Sequence, residues 1–527
     1  MPTDRFKSVC KAMADPAFYP HPVSNLQRRD THISTVFLAG EWVYKLKRPL
    51  DVGFLDYRKL EDRRFYCERE VELNRRLSRG VYESVVTIYE SPKGFSLSRN
   101  GEAAEYAVRM KRLPDRARLD SLLRKNRITS DQLGALGRML ADFYAQGEHG
   151  SEIDRYGRRD AVIYNSEENF IQLDPFVGWL FDGESWKFIK EVNRAFLDHH
   201  QALFERRLEN GKIRDGHGDL RTDHIYFLEG IQVIDCIEFN DRFRYGDVAV
   251  DLAFLLMDME YSGYPDAGHA VLIAYAERGG DPEIYALIDF YAAYRAIVRL
   301  KVACIRYQEV DSEQERNRIQ KTIDTHLDLA YRHTLMFSRP TLWVFCGLPA
   351  SGKSTLAERL ARVLSIGVIR SDDIRRQRDS RNEVVPFGQG RYSRERRGRV
   401  YSRILNHAQD LLKKGRSVIL DATYALKEWR ADAVQLAADL DICLLFVECG
   451  CTIATIRSRL KEREQISSLS DARLRHIDEQ QREFEPITEL ASNTHIHMNT
   501  EAPIQETLIR SLSDGYRCKS AQLNQRL

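Results

Sequence analysis

The sequence predicts two domains of different class. An α+β, two-lobed domain occupies residues 1–336, and an α/β domain with a doubly wound parallel sheet occupies residues 337–527. Three observations carry this prediction. Strand-like segments crowd the early chain and then give way to helical patterns. A helix stopped by Pro340 closes that first pattern. Beyond it strand and helix signals alternate, which in one domain implies parallel strands covered by helices on both faces.

The early strands are STVFLAG (34–40), EWVYKLK (41–47), VVTIYE (85–90) and AEYAVRM (104–110), rich in β-branched and aromatic residues. From about residue 131 helices dominate, as in QLGALGRMLADFYAQ. A small strand-rich lobe followed by a larger helical one is an α+β arrangement. In RIQKTIDTHLDLAYRHTLM, Ile319, Ile323, Leu327 and Ala330 share one helical stripe. After FSRP (337–340), the apolar runs TLWVF, GVI (367–369), SVIL (417–420), ICLLFV (442–447) and HIHM (495–498) predict five strands.

Composition narrows the function. With 43% hydrophobic residues the chain can bury sizeable cores, so disorder is excluded. A net charge of +2 argues against a general nucleic-acid coat. No apolar run approaches the length of a membrane span, and the start lacks a signal-peptide core. The nine cysteines are scattered, without zinc or redox spacing, and Cys236, Cys346 and Cys443 sit in apolar runs. Reduced thiols in a cytoplasmic protein are the expectation.

The most specific motif is GLPASGKS, residues 347–354, which fits G-x-x-x-x-G-K-[ST]. Gly347 and Gly352 allow the tight turn that points successive N–H groups, including that of Ser351, at phosphate oxygens. Lys353 supplies a charge to the β and γ phosphates of ATP, and the Ser354 hydroxyl can ligate Mg²⁺. Thr355 follows in the first turn of a helix whose positive end faces the same anion. Carboxylates come next. IRSDDIR places Asp372 and Asp373 after the second strand, and VILDAT places Asp421 at the end of the third. Ligands of open parallel sheets sit at those ends. Asp372 is placed to take a proton from an acceptor hydroxyl, and Asp421 to hold a metal-bound water or orient the acceptor. Either can also be a plain helix cap.

Together GLPASGKST, RSDDIR and VILDAT resemble the P-loop kinases that include polynucleotide kinases, zeta toxins and gluconate-type kinases. The resemblance covers most of residues 341–500. It implies Asp372 as general base and Arg375 as a contact to the acceptor. It also implies that IRSRLKERE is a lid carrying Arg459 and Arg463 over the transferred phosphoryl; a solvated charged helix is the alternative. Residues 370–403 hold eleven arginines against five acidic residues, which suits an anionic acceptor or a solvated face equally. Tyr392 and Tyr401 are the only aromatic platforms there, so a nucleic-acid acceptor is the less favoured expectation.

The second site lies upstream. GHGDLRTDHIYF (216–227) followed by VIDCIEFN resembles the aminoglycoside phosphotransferase-like family, small-molecule kinases with the protein-kinase fold. The resemblance spans roughly residues 25–310. It puts Asp219 at the base position, Asp235 at the metal position and Asp251 at a structural position. A kinase needs both kinds of carboxylate, one to accept the hydroxyl proton and one to hold Mg²⁺ against the phosphates. In WVYKLK, alternation puts Val43, Lys45 and Lys47 on one side. Lys45 is the expected contact to the α and β phosphates, with Lys47 in reserve. Glu70, in EREVELNRRL, is the expected partner of that lysine, with Glu68 and Glu72 as rivals. YAVRMKRLP, around Met110, would be the hinge against adenine.

Two departures stand out. No G-x-G-x-x-G loop is present, so RRDTHIST must cover the phosphates. His224 stands where the family has asparagine, among the metal-binding positions, and imidazole is a poor ligand for a hard cation. Three outcomes follow: Asp235 with waters carries Mg²⁺ alone, Asp223 or Glu238 supplies the missing oxygen, or the site no longer turns over. An alternative role for His224 is to brace the loop around Asp219. On YRAIVRLK, Arg295 and Arg299 share a face with a solvated role expected. The whole reads as a fusion of two kinase types, each moving the γ-phosphoryl of ATP to the hydroxyl of a small-molecule acceptor.

Overall fold

The early strand-like segments form one antiparallel sheet. Its strands are β1 (Leu26–Asp30), β2 (Ser34–Ala39), β3 (Trp42–Lys47), β4 (Tyr82–Ser91), β5 (Gly94–Ser96) and β6 (Glu102–Lys111). Their order is β1-β2-β3-β6-β4-β5. The four expected strands are β2, β3, β4 and β6. β1, LQRRD, is a half-exposed edge strand, so no apolar pattern marks it. The sheet is covered on both faces. Tyr44 and Leu46 of β3 pack with Phe6 and Val9 of helix Pro2–Ala12. Val43 packs on the opposite face with Cys67 and Val71 of helix Leu60–Asn74. Lys45 and Lys47 alternate onto Val43's side and therefore face that helix.

Helix Leu60–Asn74 is pinned at both ends. Arg63 reaches both carboxylate oxygens of Glu105 in β6 at 2.8–3.0 Å, both side chains being buried. At the other end Asn74 Oδ1 accepts the N–H of Cys236 at 2.9 Å. Helix Ser130–Gln146 opens with a Thr129–Gln132 capping box and buries Leu133, Leu136 and Leu140. The short strands β7 (Ile213–Asp215), β8 (Ile225–Leu228), β9 (Gly230–Val233) and β10 (Tyr245–Asp247) form two antiparallel pairs, β7 with β10 and β8 with β9. The GHGDLRTDH loop runs between β7 and β8.

The five C-terminal runs form β11 (Thr341–Cys346), β12 (Gly367–Arg370), β13 (Val418–Asp421), β14 (Cys443–Gly450) and β15 (His495–Asn499). They make a parallel sheet of order β12-β13-β11-β14-β15. Every residue of β11 is buried, as expected of a central parallel strand. One face, with Leu342, Val344 and Cys346, packs on helices Arg394–Leu412 and Lys427–Asp439. On the other, Trp343 lies so close to helix Ile504–Asn524 that a Cβ on Gly515 would fall 2.3 Å from its ring. Helices Ile284–Glu309 and Glu313–Ser338 belong to this assembly: Asp289 Oδ1 pairs with His333 Nδ1 at 2.9 Å and accepts the Tyr516 hydroxyl at 3.0 Å. Helix Glu313–Ser338 buries the expected Ile319, Ile323, Leu327 and Ala330.

The computed structural model describes residues 2–51, 53, 55–376, 393–465 and 474–526. Two compact units result: Met1–Tyr164 with Phe204–Ala270, and Asn165–Leu203 with Val271–Leu527. The helices preceding Pro340 thus pack in the same unit as the parallel sheet. Arg295, expected on a solvated face, is buried in that unit. All nine cysteines are free thiols, Cys236, Cys346 and Cys443 among the buried ones. Among the described residues no helix is long and apolar enough to cross a membrane.

Candidate active sites

In the first unit four distant segments converge. Lys45 Nζ lies 2.9 Å from Glu70 Oε1 and 2.5 Å from Asp235 Oδ1. Lys47 is fully buried and pairs with Glu70 and Glu238. The rivals of Glu70 point elsewhere on the helix: Glu68 pairs with Arg64 at 2.9 Å and Glu72 with Arg69 at 2.7 Å. Burial opposes the charge of Glu70, but the two lysines outweigh it and hold the carboxyl below its usual range. Asp235 is lowered in the same way, by Lys45 and His224 against burial. Asp235 has φ 66°, a left-handed backbone that costs a non-glycine residue roughly 1–2 kcal/mol. Its N–H donates to the Tyr82 hydroxyl at 3.2 Å.

The HGD loop is fixed by its backbone. Asp251 accepts the N–H of His217 at 2.6 Å and of Gly218 at 2.8 Å. A Cβ on Gly216 would stand 2.5 Å from Asp251 Oδ2, and Gly218 has φ 85°. Glycine is therefore required at both positions. Two histidines then bracket Asp219. His217 Nδ1 accepts the Asp219 N–H at 3.3 Å while its Nε2 donates to the Ile234 carbonyl at 3.1 Å. His224 Nδ1 donates to the Asp219 carbonyl at 2.9 Å while its Nε2 accepts from Arg221 Nη2 at 3.0 Å. These partners define the tautomer of each ring. Burial pushes the His217 imidazole down to about 4. Burial opposes ionisation of Asp219, but His224 and Arg221 outweigh it and lower its carboxyl.

This geometry corrects the expected metal set. With both ring nitrogens engaged, His224 is no ligand; it braces the loop. Glu238 is committed to Lys47 and to the Tyr57 hydroxyl at 2.9 Å. Asp223 retains a buried carboxylate oxygen without a hydrogen-bond partner. Among the described residues no three acidic, His or Cys groups are arranged to hold a metal. The donors fit one hard cation at Asp235 and not a second at position 224. Met110 is also corrected. It pairs with Val43 inside the sheet and is 7% exposed, one residue before the end of β6. It lines an apolar cluster with Val43, against which Val36, Leu113 and Ile234 pack. Ile234 precedes Asp235, so this cluster borders the charged centre. Val36, Leu113 and Ile234 went unnoticed because single apolar residues carry no sequence signal of a site.

In the second unit the site is local. Gly347, Ala350 and Gly352 have φ 127°, 61° and 92°. A Cβ on Gly347 would meet the Cys449 carbonyl oxygen at 2.4 Å. The Ser351 hydroxyl is buried without a hydrogen-bond partner inside this loop, and Lys353 Nζ donates to the Leu348 carbonyl at 2.8 Å. Burial holds the Lys353 ammonium below its usual range. Helix Lys353–Leu364 starts here, with Ser354 and Thr355 exposed in its first turn. Asp421, at the end of β13, lies near Ser354, and burial raises its carboxyl. The Ser354 hydroxyl and Asp421 carboxylate are oxygen donors of the kind Mg²⁺ takes. Asp421 is opposite Arg370 in the parallel register, and Asp372 follows in the first turn of helix Ser371–Arg376, 3.1 Å from Arg375 Nη1. The sheet thus brings Asp372, Arg375 and Asp421 to the phosphate loop's end, with Asp372 inside the helix and not capping it.

Arg459 does not stand over the loop as a lid residue would. It donates to the Thr500 carbonyl at 2.8 Å and to the Ala350 carbonyl at 3.3 Å, bracing the loop from beside it. Thr500 completes the brace: its hydroxyl donates to the Ser351 carbonyl at 2.6 Å. No sequence motif marks Thr500, which reaches the loop only through sheet topology. The Arg463 side chain, Tyr392 and residues 377–392 lie outside the described residues. Tyr401 is buried and stacks on Trp429 at 4.3 Å, so it offers no platform to a base.

Comparisons with known proteins follow this division. The model of the phosphotransferase enzyme family matches residues 66–294, and an AAA domain model matches residues 342–487. Uncharacterized protein Rv2004c of Mycobacterium tuberculosis and uncharacterized protein Mb2027c of Mycobacterium bovis are each 35% identical over 451 residues, covering 84% of this chain and 88% of theirs. Among solved structures, a choline/ethanolamine kinase family protein from Mesorhizobium loti matches at 14% identity, over 63% of this chain and 99% of its own, with a TM-score of 0.37. The Mycobacterium tuberculosis APS kinase CysC, in complex with AMPPNP and APS, matches at 21% identity, over 33% of this chain and 97% of its own, with a TM-score of 0.26.

Proposed function

The chain belongs to the same family as these mycobacterial proteins, one that joins a kinase-like phosphotransferase domain to a P-loop kinase domain, and from that premise we propose an ATP-dependent phosphotransferase with two kinase sites. Each moves the γ-phosphoryl of ATP to the hydroxyl of a small-molecule acceptor. The module boundary is kept at residues 336/337, and the protein is cytoplasmic. The observation that carries the reading is the meeting of Lys45, Glu70 and Asp235 within hydrogen-bond distance, across 190 residues of chain between Lys45 and Asp235.

In the N-terminal site Lys45 binds the α and β phosphates and Glu70 holds Lys45 in place. Asp219 receives the acceptor proton. Mg²⁺, when bound, neutralises phosphate charge, and Asp235 would hold it. In the C-terminal site the loop N–H groups and Lys353 cradle the phosphates, Asp372 takes the acceptor proton and Arg375 contacts the acceptor. Ser354 and Asp421 would hold Mg²⁺ there. Positioning and charge, not base strength, supply most of the catalysis in such reactions.

One observation favours a second reading. The absence of a fit for a second cation at His224 suits an N-terminal module that binds without transferring. One experiment separates the two. With two working sites, Lys353→Ala and Asp219→Ala each remove part of the acceptor-dependent ADP release, and only the double variant is inactive. Loss of a general base lowers its site's rate by about 10²–10⁴-fold. Full release in Asp219→Ala, with every acceptor that the wild type uses, leaves the binding-module reading in force.

A further inference from the structure

We propose that Arg221 is a catalytic residue of the N-terminal site, aimed by His224 to bind the phosphoryl group during transfer. The proposal rests on the reading of that site as a nucleotide-dependent kinase.

The first observation is where the guanidinium lies. Its Nε is 3.2 Å from Asp219 Oδ1, and its Nη2 is 3.5 Å from Asp223 Oδ2 and 3.0 Å from His224 Nε2. His224 Nε2 is in turn 3.6 Å from Asp235 Oδ2. Arg221 therefore stands beside the proposed base, with His224 between it and the proposed metal carboxylate. Among the described ion pairs, Lys45 and Arg221 are the lysine and arginine that reach Asp235 or Asp219.

The second observation is what the guanidinium leaves uncommitted. Two buried arginines in this unit set their fork on one carboxylate. Arg63 does so on Glu105, and Arg207 on Asp247, at 2.7–2.8 Å with both partners about 1% exposed. Arg221 is different. Its side chain is 18% exposed, its Nε is buried without a hydrogen-bond partner, and among the described residues its hydrogen bond is to His224. An arginine with an unfilled donor beside the proposed base matches a tetrahedral oxyanion better than it matches its present neighbours.

The third observation is His224. Its Nδ1–H is held by the Asp219 carbonyl, which leaves Nε2 as an acceptor directed at Arg221. Asparagine at this position would put an oxygen toward a cation. Histidine instead fixes an organic cation beside the same carboxylates. The site thus carries a fixed charge beside the same carboxylates where the family pattern has asparagine.

In the reaction the acceptor oxygen forms a bond to the γ-phosphorus. The bond from that phosphorus to the β–γ bridging oxygen breaks, and its electron pair leaves with ADP. The acceptor proton passes to the Asp219 carboxylate. Arg221 exchanges no proton; it binds the charge on the non-bridging oxygens.

The test is the preference for ATP over ADP, read by calorimetry in full-length Lys353→Ala chains with magnesium chloride. The part of nucleotide binding that Lys45→Ala removes is the N-terminal site. Arg221→Ala is expected to weaken ATP there by about 10- to 100-fold, the size of one or two charge-assisted hydrogen bonds, and ADP by no more than about twofold. His224→Asn, which frees the guanidinium, is expected to lower the ATP preference by a smaller factor. Retained ADP binding shows that the variant is folded; should Arg221→Ala fail to fold, Arg221→Gln and Arg221→Lys carry the same readout. An unchanged ATP-to-ADP ratio in Arg221→Ala overturns the proposal alone. If Lys45→Ala removes no nucleotide binding, the nucleotide reading of the site fails and takes the proposal with it.

Discussion

The two candidate sites hold their charged and polar groups by opposite means. The N-terminal site is assembled from side chains far apart in sequence, and buried ion pairs hold it: Lys45 and Lys47 on one strand, Glu70 on a helix, Asp235 and Glu238 beyond a hairpin. The phosphate loop of the C-terminal site is eight consecutive residues whose geometry is written in backbone torsions, with Gly347, Ala350 and Gly352 all at positive φ. The acidic groups reflect the contrast. Glu70, Asp219 and Asp235 are all lowered because fixed cations stand beside them. Asp421 is raised because burial outweighs the pull of Lys353. One site brings its own counter-charges; the other leaves a carboxylate whose charge a cation would stabilise. A site held by long-range charge should fail when one charge is lost. A site held by torsions should fail through its backbone contacts.

The largest expected effect follows from Glu70. It is fully buried, and its removal leaves Lys45 with Asp235 alone and the buried Lys47 with Glu238 alone. Breaking a buried pair costs up to about 3–5 kcal/mol. Glu70→Ala should therefore lower the unfolding temperature of the first unit and expose helix Leu60–Asn74 to hydrogen exchange. ATP turnover at the Lys353 site should persist. Unchanged protection of that helix would mean that the Arg63–Glu105 and Asn74–Cys236 contacts suffice to hold it.

A smaller effect is set by pH. His217 is buried and neutral, with its imidazole held at about 4. The unfolded chain takes up this proton near the usual value of about 6.5. Below that value the unfolded state binds the proton first, so folding stability is full above about 6.5 and falls as pH drops toward about 4. The slope approaches about 1.4 kcal/mol per pH unit within that window, and the whole loss is at most about 3 kcal/mol. Urea unfolding of the first unit at pH 5 and pH 7 reads it, and His217→Gln should flatten the difference. Asp421 acts with the opposite sign. Its raised carboxyl favours the folded state below about 3.9, an advantage lost as pH rises through its folded value.

The same contrast explains what the sequence disclosed. Both fold classes were legible because periodicity and strand–helix alternation report burial directly, as β11 and helix Glu313–Ser338 do. The phosphate loop was legible because its chemistry is contiguous. Lys45 and Glu70 were legible as candidates, but their choice over Lys47, Glu68 and Glu72 depended on which way a strand and a helix face each other. The family pattern placed His224 among the metal positions, with a brace around Asp219 as the alternative. The Asp219 carbonyl and Arg221 on its two nitrogens make it a brace. Arg459 was read as a lid residue or part of a solvated helix, and it is neither. A charged helix near a phosphate loop suggests a lid, yet Thr500 and Ala350 supply carbonyls that hold its guanidinium.

Thr500 gives the smallest and most discriminating test of the torsion-held site. Its hydroxyl donates to the Ser351 carbonyl, its N–H donates to the Gly450 carbonyl, and its own carbonyl takes Arg459. Thr500→Val keeps the shape and the backbone bonds and removes the hydroxyl alone. The Ser351 carbonyl then loses a donor, at a cost of about 1 kcal/mol. That carbonyl belongs to the loop proposed to bind the phosphates, so the cost should appear as nucleotide affinity at the Lys353 site, about fivefold weaker by the same 1 kcal/mol. Affinity at the Lys45-dependent site should not move, because no charge there has changed. An equal loss at both sites would show that the loop and the ion-pair site are coupled. No loss at either would show that Gly347, Ala350 and Gly352 hold the loop by their torsions without the brace.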